Sequence, residues 1–145
     1  MYTNEVIVVF WDADLWILPS LLALQPDYAS AINNYRFRLL SQALENARHY
    51  DKPGAMYPWT SARYGNCTGT GPCKDYQYHL NSDIAHSHYN YYLATGDKAW
   101  LEEKGWPVIK EVANMWAGKV IMNASTNGQY WVYNMTDPVR LRLSF

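Results

Sequence analysis

The sequence predicts an all-α chain of about four to five helices with a long irregular loop. Two observations carry that expectation. Apolar residues recur at three- and four-residue intervals through several windows, with Pro and Gly standing at the window ends. Strand-type alternation is convincing nowhere, although residues 129–135 can be extended.

The elements follow in order. Residues 1–9 show no pattern beyond Val6-Ile7-Val8-Val9. Pro19 suits the first turn of a helix running to about Leu24, because its missing N–H would be unpaired there anyway. Asp27 can cap the next helix. Tyr28, Ala31, Ile32, Tyr35, Leu39, Ala43, Leu44 and Ala47 then trace one apolar stripe, and Pro53-Gly54 ends the region. Residues 51–79 form a connection rich in Gly, Pro, Tyr and Asn, a length that is uncommon without a function. A third helix is expected from about Ser82 to Ala94, with Gly96 as its stop. Asp97 caps a short helix carrying Trp100 and Leu101, which Gly105 closes. Pro107 opens the last helix, with Val108, Ile109, Val112, Ala113, Trp116 and Val120 on one stripe, and Asn127-Gly128 reads as a turn.

Composition bounds the function. The chain has 145 residues, 49% of them hydrophobic, enough for one packed domain. A net charge of −1 with 17% charged residues provides no electrostatic footprint for nucleic acid or an anionic membrane. The longest apolar run, Leu15 to Leu24, is broken by Pro19 and Ser20 and is too short for a bilayer. No basic segment followed by a long apolar stretch opens the chain, so no signal peptide is expected in it. No Walker loop, dinucleotide glycine pattern or nucleophile elbow is present, and no cofactor is expected.

Two cysteines, Cys67 and Cys73, bracket a short glycine-containing segment that can bring them into disulfide range, although two free thiols would read the same. They fall short of a zinc ligand set. Sequons begin at Asn66, Asn123 and Asn134. A disulfide together with sequons favours a secretory, vacuolar or cell-surface setting.

Three segments can carry chemistry. Phe10-Trp11-Asp12-Ala13-Asp14-Leu15-Trp16 places two carboxylates and two indoles close together. Carboxylates accept hydrogen bonds from sugar hydroxyls and indoles stack on sugar rings. A helix start with Asp caps and buried Trp is the competing reading. Tyr57-Pro58-Trp59-Thr60-Ser61 can line a pocket through Trp59 or pack beneath the loop. The segment His79 to His88 is rich in histidine. His86 and His88 do not share a helix face, so a metal is not expected, and Asp83 reads as a residue at a helix start. Glu45, Glu102, Glu103 and Glu111 read as solvated helix faces.

Several blocks, in this order, resemble glycoside hydrolase family 65, and within it the fungal acid trehalases: FWDADLWILPSLLAL, INNYRFRLLSQALENAR, GAMYPWTSARYGNCTGTGPC, YQYHLNSDIAHSHYNYYLATGD, WLEEKGWPVI and VYNMTDP. The resemblance runs from about Val9 to Pro138. It implies part of an (α/α)6 barrel catalytic domain, with residues 1–145 as a fragment of the central domain. It also implies inverting hydrolysis of trehalose to glucose, with one carboxylic acid protonating the leaving oxygen and a distant carboxylate activating water. By the family pattern, Trp11 and Asp12 match the Trp-Asp pair that contacts substrate glucose; Asp14, Trp59 and Asp83 are further pocket candidates. The family's general acid is a Glu in a block reading Asp-Pro-Asp-Glu-Tyr. Here the chain reads Asp137-Pro138-Val139-Arg140-Leu141, and Arg140 stands in that place. A guanidinium cannot serve as a mid-range acid. Both ends depart from the family, which implies a truncated or shifted reading frame. Three outcomes are therefore distinguished: part of an active trehalase, an inactive remnant, and a sugar-binding module without turnover.

Overall fold

The structure is a computed structural model that describes residues 9–69, 73–123, 125 and 127–136. Trp11 and Asp12 lead into a π-helical turn, Ala13–Ile17, which continues as α1 (Leu18–Leu24) with Pro19 in its first turn. α2 (Pro26–Arg38) follows after Gln25. Asp27 lies in its first turn and Gln25 occupies the cap position, a shift of two residues from the expected cap. The long helix expected from Asp27 to Ala47 is broken at Leu39, whose φ of −96° and ψ of 7° leave the helical basin. α3 (Leu40–Arg48) resumes beyond it.

α2 also turns a different face inward. Its buried residues are Ala29, Asn33 and Arg36. Tyr28, Ala31, Ile32 and Tyr35 instead line an apolar groove of about 600 Å³ with Val9, Ala13 and Leu21. Both stripes have helical spacing. The polar one is buried because each member finds a partner across the interface: Asn33 accepts a hydrogen bond from Ser87 Oγ at 3.0 Å, and Arg36 pairs with Asp14.

α4 (His79–Thr95) is the central element, packed against α1, α2, α6 and the first π-helical turn. It begins three residues before the expected start at Ser82 and ends at Gly96 with φ of 66°, as expected. Asp97 accepts a hydrogen bond from Trp100 N at 2.9 Å and caps α5 (Lys98–Trp100). Gly105 does not end a helix. A second π-helical turn, Leu101–Gly105, runs directly into α6 (Trp106–Lys119). The missing side chain is a packing requirement there, since a Cβ would lie 2.7 Å from the Trp100 ring.

α3, α4, α6 and the segment 55–57 enclose a core of Ala43, Ala55, Tyr57, Leu80, Ile84, Val108 and Val112. A second cluster gathers Leu18, Ala29, Tyr91 and Trp100. On α6 the buried positions are Val108, Val112 and Met115; Ala113 faces outward.

The long connection is irregular, as expected, yet its first part is buried. Ala55 N donates to Glu111 O at 2.9 Å, Met56 N to Ala43 O at 2.9 Å, and Tyr57 N to Asn81 Oδ1 at 2.8 Å. Those bonds let loop backbone leave water without cost. Three short strands were not expected. β1 (Val9–Phe10) pairs antiparallel with β2 (Thr60–Ser61), Val9 opposite Ser61 and Phe10 opposite Thr60. β3 (Ile121–Asn123) pairs with β4 (Gln129–Trp131), and only β4 lies within the stretch expected to be extended. Asn127 and Gly128, with φ of 55° and 77°, form part of the connection.

Candidate functional site

β1 ends where Trp11 begins, and β2 begins just after Trp59. Their pairing therefore brings the first aromatic-acidic segment and the long loop together. Cys67 and Cys73 form a disulfide with Cα atoms 6.0 Å apart, and Cys67 bridges back to Ser61, pinning the loop beside β2. Trp59 is half-buried. Its N–H donates to Cys73 O at 2.8 Å, and its ring meets Phe10 edge-on at 6.0 Å. Trp59 is thus tied to the disulfide on one side and to β1 on the other.

Trp11 is half-buried. Its carbonyl accepts from Asp14 N and Leu15 N, both at 3.1 Å, so the π-helical turn fixes its backbone. Its ring stands perpendicular to the His79 imidazole at 5.4 Å and lies 5.9 Å from Trp16, itself 62% exposed. Asp12 is half-buried, and its carboxylate has no hydrogen-bond or ion-pair partner among the described residues. The two residues named by the family pattern therefore sit side by side, one with an aromatic face and the other with an uncommitted carboxylate.

Asp14 does something else. Its side chain and that of Arg36 are both fully buried and joined twice, Arg36 Nε donating to Oδ1 at 3.1 Å and Nη2 to Oδ2. Burial raises the Asp14 carboxyl above its ordinary range, and the guanidinium beside it opposes that rise. Burial also works against the Arg36 charge, but the Asp14 carboxylate outweighs it and the guanidinium is held more firmly protonated. Tyr57 Oη donates to Arg36 O at 3.0 Å. Asp14 is thus committed to a structural pair behind the Trp11-Asp12 segment.

Asp83 lies in the second turn of α4, because the helix starts at His79. It accepts a hydrogen bond from His79 Nδ1 at 2.8 Å and is nearly buried. His86 is exposed and contacts Asn90, away from Asp83. Three residues that sequence reasoning did not single out complete the neighbourhood: His79, Gln77 and Arg36. The spacing of His79 and Asp83 by four was visible, but it acquires meaning only once the helix begins at His79. Among the described residues no group of three His, Cys, Asp or Glu side chains can hold a metal.

The remaining candidates fall at the margins. Asn66 and Asn134 are exposed, and Asn134 has φ of 53°. Asn123 ends β3. Arg140, with Asp137 and Pro138, lies outside the described residues. No helix among the described residues is long and apolar enough to cross a membrane.

A family model described as the glycosyl hydrolase family 65 central catalytic domain matches residues 7–140. The chain is 49% identical over 134 residues to a periplasmic/secreted acid trehalase of Candida glabrata, covering 90% of this chain and 11% of that protein. It is 41% identical over 132 residues to a kojibiose hydrolase of Mucilaginibacter mallensis, covering 88% of this chain and 19% of that protein. Its backbone matches a putative kojibiose phosphorylase from the human microbiome with a TM-score of 0.81 at 20% identity, over 90% of this chain and 17% of the other. That likeness bears out the expected fold class, a mostly helical part of an (α/α)6 barrel. The chain spans only a small share of each protein it matches.

Proposed function

The chain belongs to glycosyl hydrolase family 65, within its central catalytic domain, and from that premise we propose that it holds the sugar-gripping corner of a trehalase-type site. The single observation carrying this reading is the carboxylate of half-buried Asp12, which has no partner among the described residues and follows Trp11 in the chain. A carboxylate left without a partner while Asp14 and Asp83 are both committed is suited to accept hydrogen bonds from a ligand's hydroxyls. Trp11 offers the apolar ring face against which a pyranose can lie. Trp59 is held at the adjoining strand end.

In the proposed reaction class, inverting hydrolysis of trehalose to glucose, Asp12 and Trp11 bind and orient. The protonation of the leaving oxygen belongs to a mid-range acid, and this chain carries Arg140 at the matching place. The chain by itself therefore grips sugar without turnover, and the parent activity is trehalose hydrolysis. An inactive remnant is the second reading, favoured by the same Arg140. The parent setting is secreted or cell-wall, the disulfide being of the kind kept in oxidising compartments; Asn66 and Asn134 are exposed for glycosylation. The partner is a small disaccharide and not a nucleic acid, given a net charge of −1.

The test is titration of the chain with trehalose, followed by tryptophan fluorescence, with kojibiose as competitor and glucose release measured in parallel. Saturable binding that Asp12→Asn weakens, without glucose release, supports the gripping role. Binding that is indifferent to Asp12→Asn removes it, and glucose release would show that the acid lies elsewhere in the chain.

A further inference from the structure

We propose that His79 is a positioning residue for the Trp11 indole, fixing the plane of the sugar platform; the substrate part of this inference rests on the reading of Trp11 given above. His79 is the first residue of α4 and is nearly buried. Its ring is tied at both nitrogens. Nδ1 donates to Asp83 Oδ2 at 2.8 Å, one helical turn along, and Nε2 is hydrogen-bonded at 3.2 Å to the side-chain amide of Gln77 in the preceding loop. An imidazole held at one nitrogen can still swing about that bond; one held at both cannot. The fixed ring meets the Trp11 indole at 89° and 5.4 Å, the edge-to-face geometry that aromatic quadrupoles favour.

Trp11 also packs against the core cluster that contains Tyr57, Leu80 and Ile84, and its other ring partner cannot fix the indole plane. Trp16 is 62% exposed, and its ring lies 5.9 Å away at 61°. His79 is thus the buried ring paired edge-on with Trp11, and it couples the platform to α4. The charged groups around it are accounted for. Asp83 accepts the hydrogen bond from Nδ1, and Asp14, which senses the Asp83 charge, is itself committed to Arg36. The role inferred for His79 runs through the Trp11 ring.

A double-mutant cycle tests this in the full chain, with two readouts. The first is the Trp11 indole N–H resonance, identified by its loss in Trp11→Phe. The second is the dissociation constant for trehalose. His79→Asn is expected to shift or broaden the Trp11 resonance and to weaken trehalose about fivefold or more, while adding little in the Trp11→Phe background. Gln77→Ala, at a half-buried loop position, removes one tie alone and is expected to produce a smaller change in the same direction, so a failure of His79→Asn to fold does not end the test. An unchanged Trp11 resonance in both variants overturns the proposal. So do effects of His79→Asn and Trp11→Phe that simply add, and so does a wild-type chain with no ordered Trp11 signal. A moved resonance with no trehalose binding by the wild-type chain would uphold the positioning role and sink the substrate reading instead.

Discussion

Within one short segment the acidic residues divide into different tasks. Asp12 has no side-chain partner among the described residues, while Asp14, two positions on, is fully buried against Arg36. Removing one partner of a buried pair strands the other charge, which costs about 3–5 kcal/mol, whereas replacing both by apolar groups costs far less. Asp14→Asn and Arg36→Met are each expected to lower the chemical-denaturation midpoint strongly, and the double variant Asp14→Leu/Arg36→Met is expected to recover much of the loss. Equal and additive losses would show that the pair is not coupled. His88 provides a pH-dependent counterpart. Burial pushes its imidazole down to about 4 from an ordinary 6.5, and its Nδ1 donates to Ile84 O at 2.8 Å while Nε2 has no partner among the described residues. The unfolded chain takes up this proton near 6.5 and the folded chain only near 4. Stability is therefore complete above pH 6.5 and declines as pH falls toward 4, by about 3 kcal/mol over that window. His88→Gln, which keeps a donor for Ile84, is expected to flatten the decline measured by urea unfolding between pH 7 and pH 4.5. A wild-type decline that survives the substitution would assign it to other groups.

Between elements, the decisive contacts are made by backbone. The Pro53-Gly54 turn sits directly on α6: a Cβ at Gly54 would lie 2.1 Å from Glu111 O and 2.5 Å from Met115 N, and its φ is +72°. The strain and the collision act together, so Gly54→Ala is expected to cost at least about 2 kcal/mol, well beyond the usual penalty for a positive φ alone. A shift in melting temperature of less than a degree or two would mean that α6 can retreat from the turn. Two chain segments remote in sequence meet through only two residues each, β1 and β2, yet that pairing is what sets Trp59 against Phe10, the residue before Trp11. Sequence patterns missed it because two-residue strands have no periodicity to detect.

At the scale of the molecule, one apolar face remains open. Tyr28, Ala31, Ile32 and Tyr35 of α2 line a groove with Leu21, and Leu24 is 80% exposed beside them in sequence. The β3–β4 hairpin adds Ile121, Met122 and Tyr130, all more than half exposed. Apolar patches of this extent promote association in water. The chain is expected to bind a hydrophobic dye and to self-associate as its concentration rises. Leu24→Lys with Tyr28→Lys is expected to reduce both, as read by dye fluorescence and light scattering. Monomeric behaviour of the unsubstituted chain at high concentration would contradict this.

The sequence by itself determined the helical class, the Gly96 stop, the Asp97 cap, the Asn127-Gly128 turn and the family, because each is written in residues close along the chain. It also named Trp11 and Asp12, through a contiguous motif. Only the tertiary structure decided which stripe of α2 is buried. An apolar and a polar stripe share the helix, and the polar one is covered because Asp14 and Ser87 supply partners from other elements. Only the structure separated Asp12 from Asp14 and joined His79 to Trp11, for the same reason: a side chain's task depends on which distant group meets it, and that pairing is made by folding rather than by adjacency.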